Sequence, residues 1–493
     1  MNRDHFKLLS PLVSSTYLTQ GVSSRNSVSS RITELISQRR IPEVGWSADE
    51  IEILIREISL WDSNNFAGKA AVGEREGRCF SEIVRRRHWG LVHGIGRSGD
   101  VNAEQPKAAG SSLVLKLTTF LVRDALKSVF HITNVPKEIV VLPVATGMAL
   151  MLGMTAVSQI HRDSNRKNVI WSRIDQKSCI KAMTFDHSLT VHVVEQKPEM
   201  EGLASDVEGI SLLVDVLGAD TIHSIVLTTS TFAPRTPDDI PTVSRLCKQL
   251  NIPLIVNNAY GLQCSKCCHL VNEALKIGRV DLVVQSTDKN FAVPVGGSIL
   301  FGPLAETINR IYPGRASISP ILDLFITLLE VGKTKWREVL QKRKELFAYL
   351  IVELNKIKEV RVLKTPKNQI SVAVQISGCD EKLGSELFLR NVSGSRVFVA
   401  SNKAKQIDQN ISPLMNFGCH SSKPLVEQYI NVACAIGATR DELDIFITRF
   451  RKQIEKRARS VVSGTYWTHV FFTCNLKAHR DARLLADGAL LPT

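Results

Sequence analysis

The sequence lacks a regular cysteine framework, and its N-terminus lacks a hydrophobic segment of signal-peptide length. Its ten cysteines are scattered through 493 residues, a chain too long to need disulfides for its stability. The first residues, MNRDHFKLLSPLV, contain no apolar core that would direct secretion. We therefore expect free thiols and a location in the reducing cytosol.

Charge-free apolar runs of membrane-spanning length are also scarce. Only Ile139 to Val157 approaches the roughly 20 residues that a bilayer-crossing helix needs. This stretch contains one proline and two glycines, and its first part, IVVLPV, is typical of a strand. We predict strand, turn and helix here, and hence a soluble protein with no membrane partner.

Acidic residues are too few to balance the basic ones. Lys and Arg number 62 against 48 Asp and Glu, which gives a net charge of +14. A surplus of this size favours anionic partners such as nucleic acid, acidic lipid or phosphorylated substrates. Apolar residues at 44% and charged residues at 22% exclude wholesale disorder and leave enough chain for about three domains.

Apolar runs alternate with segments of helical length from about Val140 to Gly302. The runs are VVLPVA, NVIWSRI, TVHVVE, HSIVLTTS, IPLIVNN, DLVVQS and GGSILFG, and the helical segments include 206–217, 238–250 and 267–277. Near-continuous β-rich runs separated by helices indicate an α/β fold, with a mostly parallel sheet covered by helices on both faces.

We divide the chain into four parts. They are a helical N-terminal extension at 1–60, a sheet-containing domain at 61–330, a small α+β domain at 331–460 and a tail without usable periodicity at 461–493. In the third part, the pattern predicts a long helix through Trp336 to Leu354 and a strand over Ile370 to Ile376. A second helix is predicted over roughly 425–458.

Candidate functional residues follow three of the apolar runs. These are Ala145-Thr146-Gly147 at a helix start, Asn257-Asn258-Ala259-Tyr260-Gly261, and Ser286-Thr287-Asp288-Lys289. Ligands bind beyond the carboxyl ends of strands in open α/β sheets, and a helix start can bind an anion. A lysine desolvated there has a lowered pKa and can form a Schiff base with an aldehyde cofactor. The alternative is a surface lysine at a loop start.

In this order the three pieces resemble the fold type I pyridoxal-phosphate enzymes. The resemblance implies that Lys289 binds pyridoxal 5′-phosphate and is the catalytic residue. The other cofactor-binding residues it implies are Ala145, Thr146, Gly147, Gln176, Asn257, Ser286 and Arg75. Asn257 stands where related enzymes have an acid, so we expect a weaker electron sink. Our hypothesis is that a weaker electron sink is sufficient, because phosphate at Cβ is a good leaving group.

Longer strings resemble the O-phosphoseryl-tRNA(Sec) selenium transferase (selenocysteine synthase) family. They are GEREGR at 73–78, HGIGRSGD at 93–100, QPKAAGSS at 105–112, WSRIDQKS at 171–178 and YPGRAS at 312–317. The resemblance implies conversion of O-phosphoseryl-tRNA(Sec) to selenocysteinyl-tRNA(Sec), with selenophosphate as selenium donor. It also implies a homotetramer, and a substrate-phosphate site made of Arg97, Ser98, Gln105 and Arg315.

Gly94-x-Gly96-x-x-Gly99 also fits the dinucleotide fingerprint. The residues before it are not a buried strand and those after it do not open a helix, so the required βαβ context is missing. Cys264-x-x-Cys267-Cys268-His269 suggests zinc or redox chemistry. No second ligand pair accompanies it, so we expect no metal site and only buried or incidental thiols.

A large polyanion explains the surplus of basic residues better than a small amino acid does. The family resemblance implies that Arg25, Arg39 and Arg40, in the N-terminal extension, contact tRNA. It also implies an arginine just before a C-terminal glycine, which reads the discriminator base. Here the string is Met415-Asn416-Phe417-Gly418-Cys419, without that arginine.

Two other functions remain open at this point. One is a related lyase or desulfurase that acts on a free amino acid, and the other is a non-catalytic tRNA-binding relative. The glycine-rich loop with Arg97 disfavours the first, and the intact Lys289 disfavours the second.

Overall fold

The computed structural model describes residues 3–162, 165–229, 232–378 and 380–459, so the tail at 461–493 lies outside the described residues. The N-terminal part is helical, with α1 (Arg3–Leu9), α2 (Ser15–Gln38), α3 (Ala48–Ser59), α4 (Glu82–Arg87) and α5 (Ala109–Ser128). Helix α3 begins with a capping box between Ser47 and Glu50, and its apolar face is buried. Helix α2 buries only Leu35, so most of its surface is open.

The middle of the chain alternates strands and helices. The elements are β1 (Ile139–Leu142), α6 (Thr146–Ile160), β2 (Asn168–Ser172), α7 (Lys177–Thr184), β3 (Thr190–Val194), β4 (Gln196–Glu199), β5 (Gly202–Ser205), α8 (Val207–Leu217), β6 (Ile222–Thr228), α9 (Ile240–Gln249), β7 (Leu254–Asn257), α10 (Ser265–Ile277), β8 (Leu282–Ser286), α11 (Thr287–Phe291), β9 (Ser298–Phe301) and α12 (Leu304–Ile311).

Seven of these strands form one sheet in the order β1-β9-β8-β7-β6-β2-β3. Strands β2, β3, β6, β7 and β8 pair in parallel, whereas β9 is antiparallel to both of its neighbours. Every residue of β6, β7 and β8 is buried, which requires cover on both faces. The seven predicted apolar runs are these seven strands, so the predicted sheet is confirmed.

The stretch from Ile139 to Val157 forms β1 and most of α6, as its proline and glycines predicted. Across the described ranges, no helix combines the length and the apolar character needed to span a membrane.

The C-terminal part contains α13 (Ser319–Leu354), β10 (Val360–Val362), β11 (Ser371–Ile376), α14 (Lys382–Phe388), β12 (Arg396–Val399), β13 (Ala404–Lys405), β14 (Leu414–Met415), β15 (Gln428–Ala433) and α15 (440–459). Strands β10, β11, β15 and β12 form an antiparallel sheet in that order. The predicted helix over 425–458 is wrong in its first part, because residues 428–433 pair on both sides as β15. Tyr429, Ile430 and Val432 are aromatic or β-branched residues, which favour strands.

The N-terminal part packs closely against α13 at Gly45 and Gly332. Helix α13 is broken at Gly332, whose φ is 65°. A Cβ atom at Gly332 would lie 2.5 Å from the backbone nitrogen of Gly45, so the two segments could not approach so closely with larger residues at these positions. The Trp46 N–H donates to the Leu329 carbonyl over 2.9 Å, which fixes the crossing.

Candidate active site

Residues that follow β1, β2 and β7 meet at the carboxyl edge of the large sheet. A Cβ atom at Gly147, in the first turn of α6, would lie 3.2 Å from Cβ of Ser178 in α7. The side-chain amide of Asn257, at the end of β7, donates to Cys179 Sγ over 3.3 Å. Gln176 lies immediately before α7 and is half-buried. Parallel strands therefore bring these predicted cofactor residues to one edge.

The backbone around Lys289 is held from several directions. Phe291, two residues further on in α11, makes edge-to-face contacts with Phe130 and Trp336 at centroid distances of 5.6 and 5.7 Å. The Asn290 amide donates to the Ala259 carbonyl over 2.8 Å, and the Gln263 amide donates to the Lys289 carbonyl over 2.6 Å. These contacts fix the lysine against the loop that follows β7.

The amine of Lys289 lies in a polar corner of a small cavity. Its Nζ donates to Ser286 Oγ over 3.1 Å and to Asp288 Oδ2 over 3.0 Å, and it lies 5.5 Å from the centroid of the Tyr260 ring. The side chain is 29% exposed. The cavity measures about 220 Å³ and is otherwise lined mainly by apolar residues of the C-terminal part, including Ile370 and Ile436.

The start of α6 has the features of an anion site. Thr146 Oγ1 is buried and has no hydrogen-bond partner among the described atoms. Ala145 occupies the cap position and offers no side-chain acceptor to the first N–H groups of the helix. Unsatisfied N–H groups and a buried hydroxyl donor at a helix start favour a phosphate or carboxylate ligand.

Asn257 is a buried, neutral partner at the edge of the sheet. The residue is only 5% exposed, and its side-chain Oδ1 accepts the Ala259 N–H over 3.2 Å. Burial raises the pKa of Cys179 to about 11, so the adjoining thiol is neutral as well. No carboxylate replaces the missing acid at the Asn257 side chain in the contacts of the described residues.

The predicted substrate-phosphate residues form a second group around the glycine-rich loop. Gly94 and Gly96 have φ values of 70° and 80°, and a Cβ atom at Gly94 would lie 2.3 Å from the Ala316 carbonyl oxygen. Ile95 pairs with Ala316 as an antiparallel bridge. The sharp turn leaves Arg97 and Ser98 exposed at its tip. Glycine is required here by both conformation and space.

Positive charge accumulates beside this loop. Burial and the nearby charge of Arg75 lower the pKa of Arg315, while Asp62 opposes the shift. The Arg315 guanidinium donates to the His93 carbonyl, and its Nε is buried without a partner among the described atoms. Gln105 lies in the next turn, where its N–H donates to Ser112 Oγ over 3.1 Å. An anion between the two arginines would satisfy this arrangement.

The second group of residues does not line the Lys289 cavity. The described side chains that line the Lys289 cavity include none from the glycine-rich loop or from Arg75, Gln105 and Arg315. The three arginines predicted to contact tRNA are also elsewhere. Arg25 and Arg40 are exposed on or just after α2, and the Arg39 guanidinium stacks 5.0 Å from the Phe120 ring.

Sequence reasoning missed the ionic network that joins the end of β2 to the C-terminal part. Asp175 is 7% exposed and accepts from Arg173 over 2.9 Å. The same carboxylate accepts the backbone N–H groups of Gly418 and His420 over 2.7 and 2.8 Å. The segment around Gly418, which lacks the expected arginine, is therefore hydrogen-bonded to Asp175, the residue before Gln176. The only signal was the acid within the quoted string WSRIDQKS.

Tyr260 and Asp288 were also not singled out, although both lie in quoted strings and touch the Lys289 amine.

The cysteines at 264, 267 and 268 are buried free thiols, as predicted. Within the described ranges, no group of three or more His, Cys, Asp or Glu side chains could hold a metal ion.

Comparison with known proteins identifies relatives along nearly the whole chain. A family model described as O-phosphoseryl-tRNA(Sec) selenium transferase, SepSecS, matches residues 61–455. The O-phosphoseryl-tRNA(Sec) selenium transferase of Dictyostelium discoideum is 41% identical over 93% of this chain and 100% of its own length. The Methanopyrus kandleri protein of the same name is 33% identical over 90% and 99% of the two chains.

Solved structures agree with these relatives. The crystal structure of archaeal O-phosphoseryl-tRNA(Sec) selenium transferase superposes with a TM-score of 0.80 at 26% identity, covering 90% of this chain and 98% of that one. A NifS-like protein, at 14% identity, shares the fold with a TM-score of 0.52 over 80% and 98% of the chains. These likenesses confirm the fold type I architecture predicted from the sequence. The chain belongs to the O-phosphoseryl-tRNA(Sec) selenium transferase family.

Proposed function

We propose that the protein converts O-phosphoseryl-tRNA(Sec) to selenocysteinyl-tRNA(Sec), with pyridoxal 5′-phosphate as cofactor and selenophosphate as selenium donor. The observation that carries this proposal is the position of Lys289 in this chain, which belongs to the family. Lys289 lies in α11, directly after the buried strand β8, and its amine lies beside a cavity and within hydrogen-bond reach of Ser286 and Asp288. We also propose the cytosol as compartment; the cysteines of the described residues are all free thiols.

The residues at the sheet edge fit the proposed cofactor. The start of α6, with Ala145, Gly147 and the unpartnered hydroxyl of Thr146, would bind its phosphate. Asn257 and Gln176 would contact its ring, and Lys289 would bind its aldehyde carbon. When bound, pyridoxal phosphate withdraws electrons from the substrate Cα and so acidifies the Cα proton.

Lys289 is the proposed general base for that proton. Its Nζ donates to Ser286 and Asp288, its carbonyl accepts from Gln263, and the neighbouring Asn290 donates to the Ser286 carbonyl, so the amine has a restricted range of positions. A positioned base near the reacting carbon contributes through orientation and through its proximity. The Asp288 carboxylate stabilises the ammonium form that results when the proton arrives.

Arg97, Ser98, Gln105 and Arg315 are proposed to bind the phosphate of the phosphoseryl group, with Arg75 adjacent. The Arg315 Nε, which has no partner in the part of the chain that the structure describes, and the exposed tip of the loop support this role. Guanidinium groups bind phosphate through paired charge-assisted hydrogen bonds, so they orient the leaving group and stabilise its charge. A free amino acid without phosphate would leave these groups unused.

A homotetramer is proposed because the family resemblance implies one and because, among the described residues, no member of the arginine group lines the Lys289 cavity. Large apolar side chains are exposed in the segment of the sequence around Arg75, and they include Phe66, Val72, Phe80 and Ile83. Exposed apolar patches of this kind mark surfaces that bind another protein. A second copy seated there would cover them and could bring its own Lys289 to the loop.

The tRNA is proposed to bind along the N-terminal helices. Helix α2 buries only Leu35, and Arg25, Arg39 and Arg40 lie on it or just beyond its end. Their charges would contact the phosphate backbone, which fixes position rather than sequence. Phe417 occupies the position just before Gly418 where the arginine is expected, and the preceding Asn416 is buried and accepts from the backbone of Ser401 and Asn402, each over 3.1 Å.

Phosphate release from two substrates tests this function. We expect the purified protein, loaded with pyridoxal phosphate, to release phosphate from O-phosphoseryl-tRNA(Sec) and not from free O-phosphoserine. Release from free phosphoserine at a similar rate would favour the related lyase. Tight tRNA binding without release from either substrate would favour a non-catalytic relative.

A further inference from the structure

His93 contacts the separate segments that carry the proposed substrate-phosphate residues. It opens the glycine-rich loop, on which Arg97 and Ser98 follow, and it is only 7% exposed. Its backbone carbonyl accepts a hydrogen bond from the Arg315 guanidinium. The backbone of His93 is therefore joined to one proposed phosphate ligand, while its ring contacts other segments.

The ring of His93 is linked to the turn that carries Gln105. Its Nε2 lies 3.1 Å from Ser63 Oγ, which is hydrogen-bond distance. The Ser63 N–H donates to the Lys107 carbonyl over 2.9 Å, and the Lys107 N–H donates to Gln105 Oε1 over 3.4 Å. Ser63 therefore connects the imidazole to the turn in which Gln105 lies.

The same ring nitrogen packs against the segment that carries Arg75. Gly77 has a φ of 62°, and a Cβ atom there would lie 3.1 Å from His93 Nε2. Arg78 closes this segment by donating to the Ala71 carbonyl over 2.7 Å. A side chain at Gly77 would push the segment away from the ring. The imidazole thus lies between Ser63 and the Arg75 segment.

The His93 ring makes these contacts without adding charge. Burial and the charge of Arg315 lower its pKa, Glu76 opposes the shift, and the charges of Lys107 and Lys69 add to it. The ring is therefore mainly neutral near pH 7. It can contact these segments without adding to the repulsion between the charges of Arg315 and Arg75.

We propose that His93 is a positioning residue for the substrate phosphate, which holds Arg315, the Arg75 segment and the Gln105 turn in one arrangement. This inference rests on the proposed function, in which these residues bind the phosphate of the phosphoseryl group. His93 acts through them rather than on the phosphate. Guanidinium groups that are already in place bind an anion without a further cost of ordering, so loss of the ring weakens phosphate binding.

Calorimetry with inorganic phosphate tests this role in the full-length protein loaded with pyridoxal phosphate. His93→Ala removes both ring contacts, and we expect its phosphate Kd to rise about tenfold, the effect of losing one buried hydrogen bond. Ser63→Ala removes only the hydroxyl and should raise the Kd less; it carries the test if His93→Ala does not fold. His93→Gln retains a polar group near the Nε2 position and should largely restore the affinity.

The kinetics of phosphate release separate positioning from loss of stability. In His93→Ala, the KM for O-phosphoseryl-tRNA(Sec) should rise by the same factor as the phosphate Kd, and kcat should change less. A variant that is only partly folded would instead have a lower kcat and an unchanged KM, because its folded molecules would bind normally.

His192→Ala is the matched control. His192 lies in β3, its Nε2 lies 2.8 Å from Asn168 Oδ1, and burial lowers its pKa as it does for His93. This variant also loses a histidine with one side-chain partner, but far along the sheet from the glycine-rich loop in strand order. Its phosphate Kd should equal that of the unaltered chain.

The inference is overturned if the unaltered protein binds no phosphate, or if His93→Ala and Ser63→Ala bind phosphate as tightly as the unaltered chain. It is also overturned if His192→Ala weakens phosphate binding to the same extent. Phosphate binding that depends on His93, without phosphate release from O-phosphoseryl-tRNA(Sec) by the unaltered protein, would support the positioning role and contradict the proposed function alone.

Discussion

The carboxylate of Asp175 accepts the backbone N–H of Gly418 over 2.7 Å, although 243 positions separate the two residues in the sequence. Asp175 follows β2 at the sheet edge. Gly418 belongs to the C-terminal segment that lacks the arginine implied by the family resemblance. The same carboxylate binds the buried guanidinium of Arg173, which also donates to the Met415 carbonyl over 2.7 Å. This network couples the C-terminal segment to the residue before Gln176.

Replacing Asp175 with Asn should destabilise the protein while preserving side-chain shape. The variant leaves Arg173 with only the half-exposed Glu195 as an acidic partner. Breaking a buried ion pair costs about 3 kcal/mol, and urea unfolding measures the loss. Glu208→Gln removes one member of an exposed pair with Lys197 and should destabilise the protein far less than Asp175→Asn does. Equal losses in the two variants would contradict this role of the network.

His420 should make stability fall in acid. Burial lowers its pKa to about 4, and its Nδ1 accepts the Asp175 N–H over 2.9 Å. Because the folded pKa lies below the unfolded value of about 6.5, the stabilisation is complete above about pH 6.5 and is lost as the pH falls towards 4. We expect a loss of about 2 kcal/mol between about pH 7.5 and about pH 5.

The variant His420→Asn removes the titrating group and tolerates the φ of 67° at this position. Its free energy of unfolding should therefore depend less on pH over the same range, as measured by urea unfolding at several pH values. An identical slope in the variant and the unaltered chain would exclude His420 as a source of the acid sensitivity.

Asn257→Asp should leave phosphate elimination active. The leaving group is phosphate, so a stronger interaction at the cofactor ring is not required. We expect kcat within about tenfold of the original value, which corresponds to about 1.4 kcal/mol in the barrier. Asn257→Ala, which also removes the contact with Cys179, should lower activity further. A folded but inactive Asn257→Asp variant would refute this explanation of the missing acid.

A mixing experiment tests whether the site is shared between copies of the chain. Lys289→Ala and Arg97→Ala variants should each be inactive alone, because one lacks the proposed base and the other a proposed phosphate ligand. Mixed oligomers should regain part of the activity in phosphate release. Recovery is expected if the arginine group, which does not line the Lys289 cavity of its own chain among the described residues, serves the cavity of another copy. Complete absence of recovery in verified mixed oligomers would place both groups in one copy's site.

The sheet could be predicted from the sequence because local patterns specify it. Each of its seven strands is a short apolar run, and the carboxyl ends of the parallel ones determine where Ala145, Asn257 and Lys289 lie. The strand β15 was not predicted, since its six residues are short enough to continue the amphipathic pattern of the helix that follows. Only pairing with β11 and β12 decides its conformation, and such pairing is not local.

The polar networks were beyond sequence reasoning for a similar reason. Arg343 has no special local pattern, yet the fold buries it where its Nη1 donates to the Gln369 and Cys434 carbonyls. In the same way, nothing local to Asp175 indicates that its partners are Gly418 and His420.

The most direct measurement of the central claim is mass spectrometry of the protein after incubation with pyridoxal phosphate and reduction with borohydride. We predict one pyridoxyl adduct, located on Lys289, with loss of the visible absorbance on reduction. A Lys289→Arg variant should acquire no adduct at that position. An unmodified Lys289, or an adduct confined to other lysines, would contradict the account.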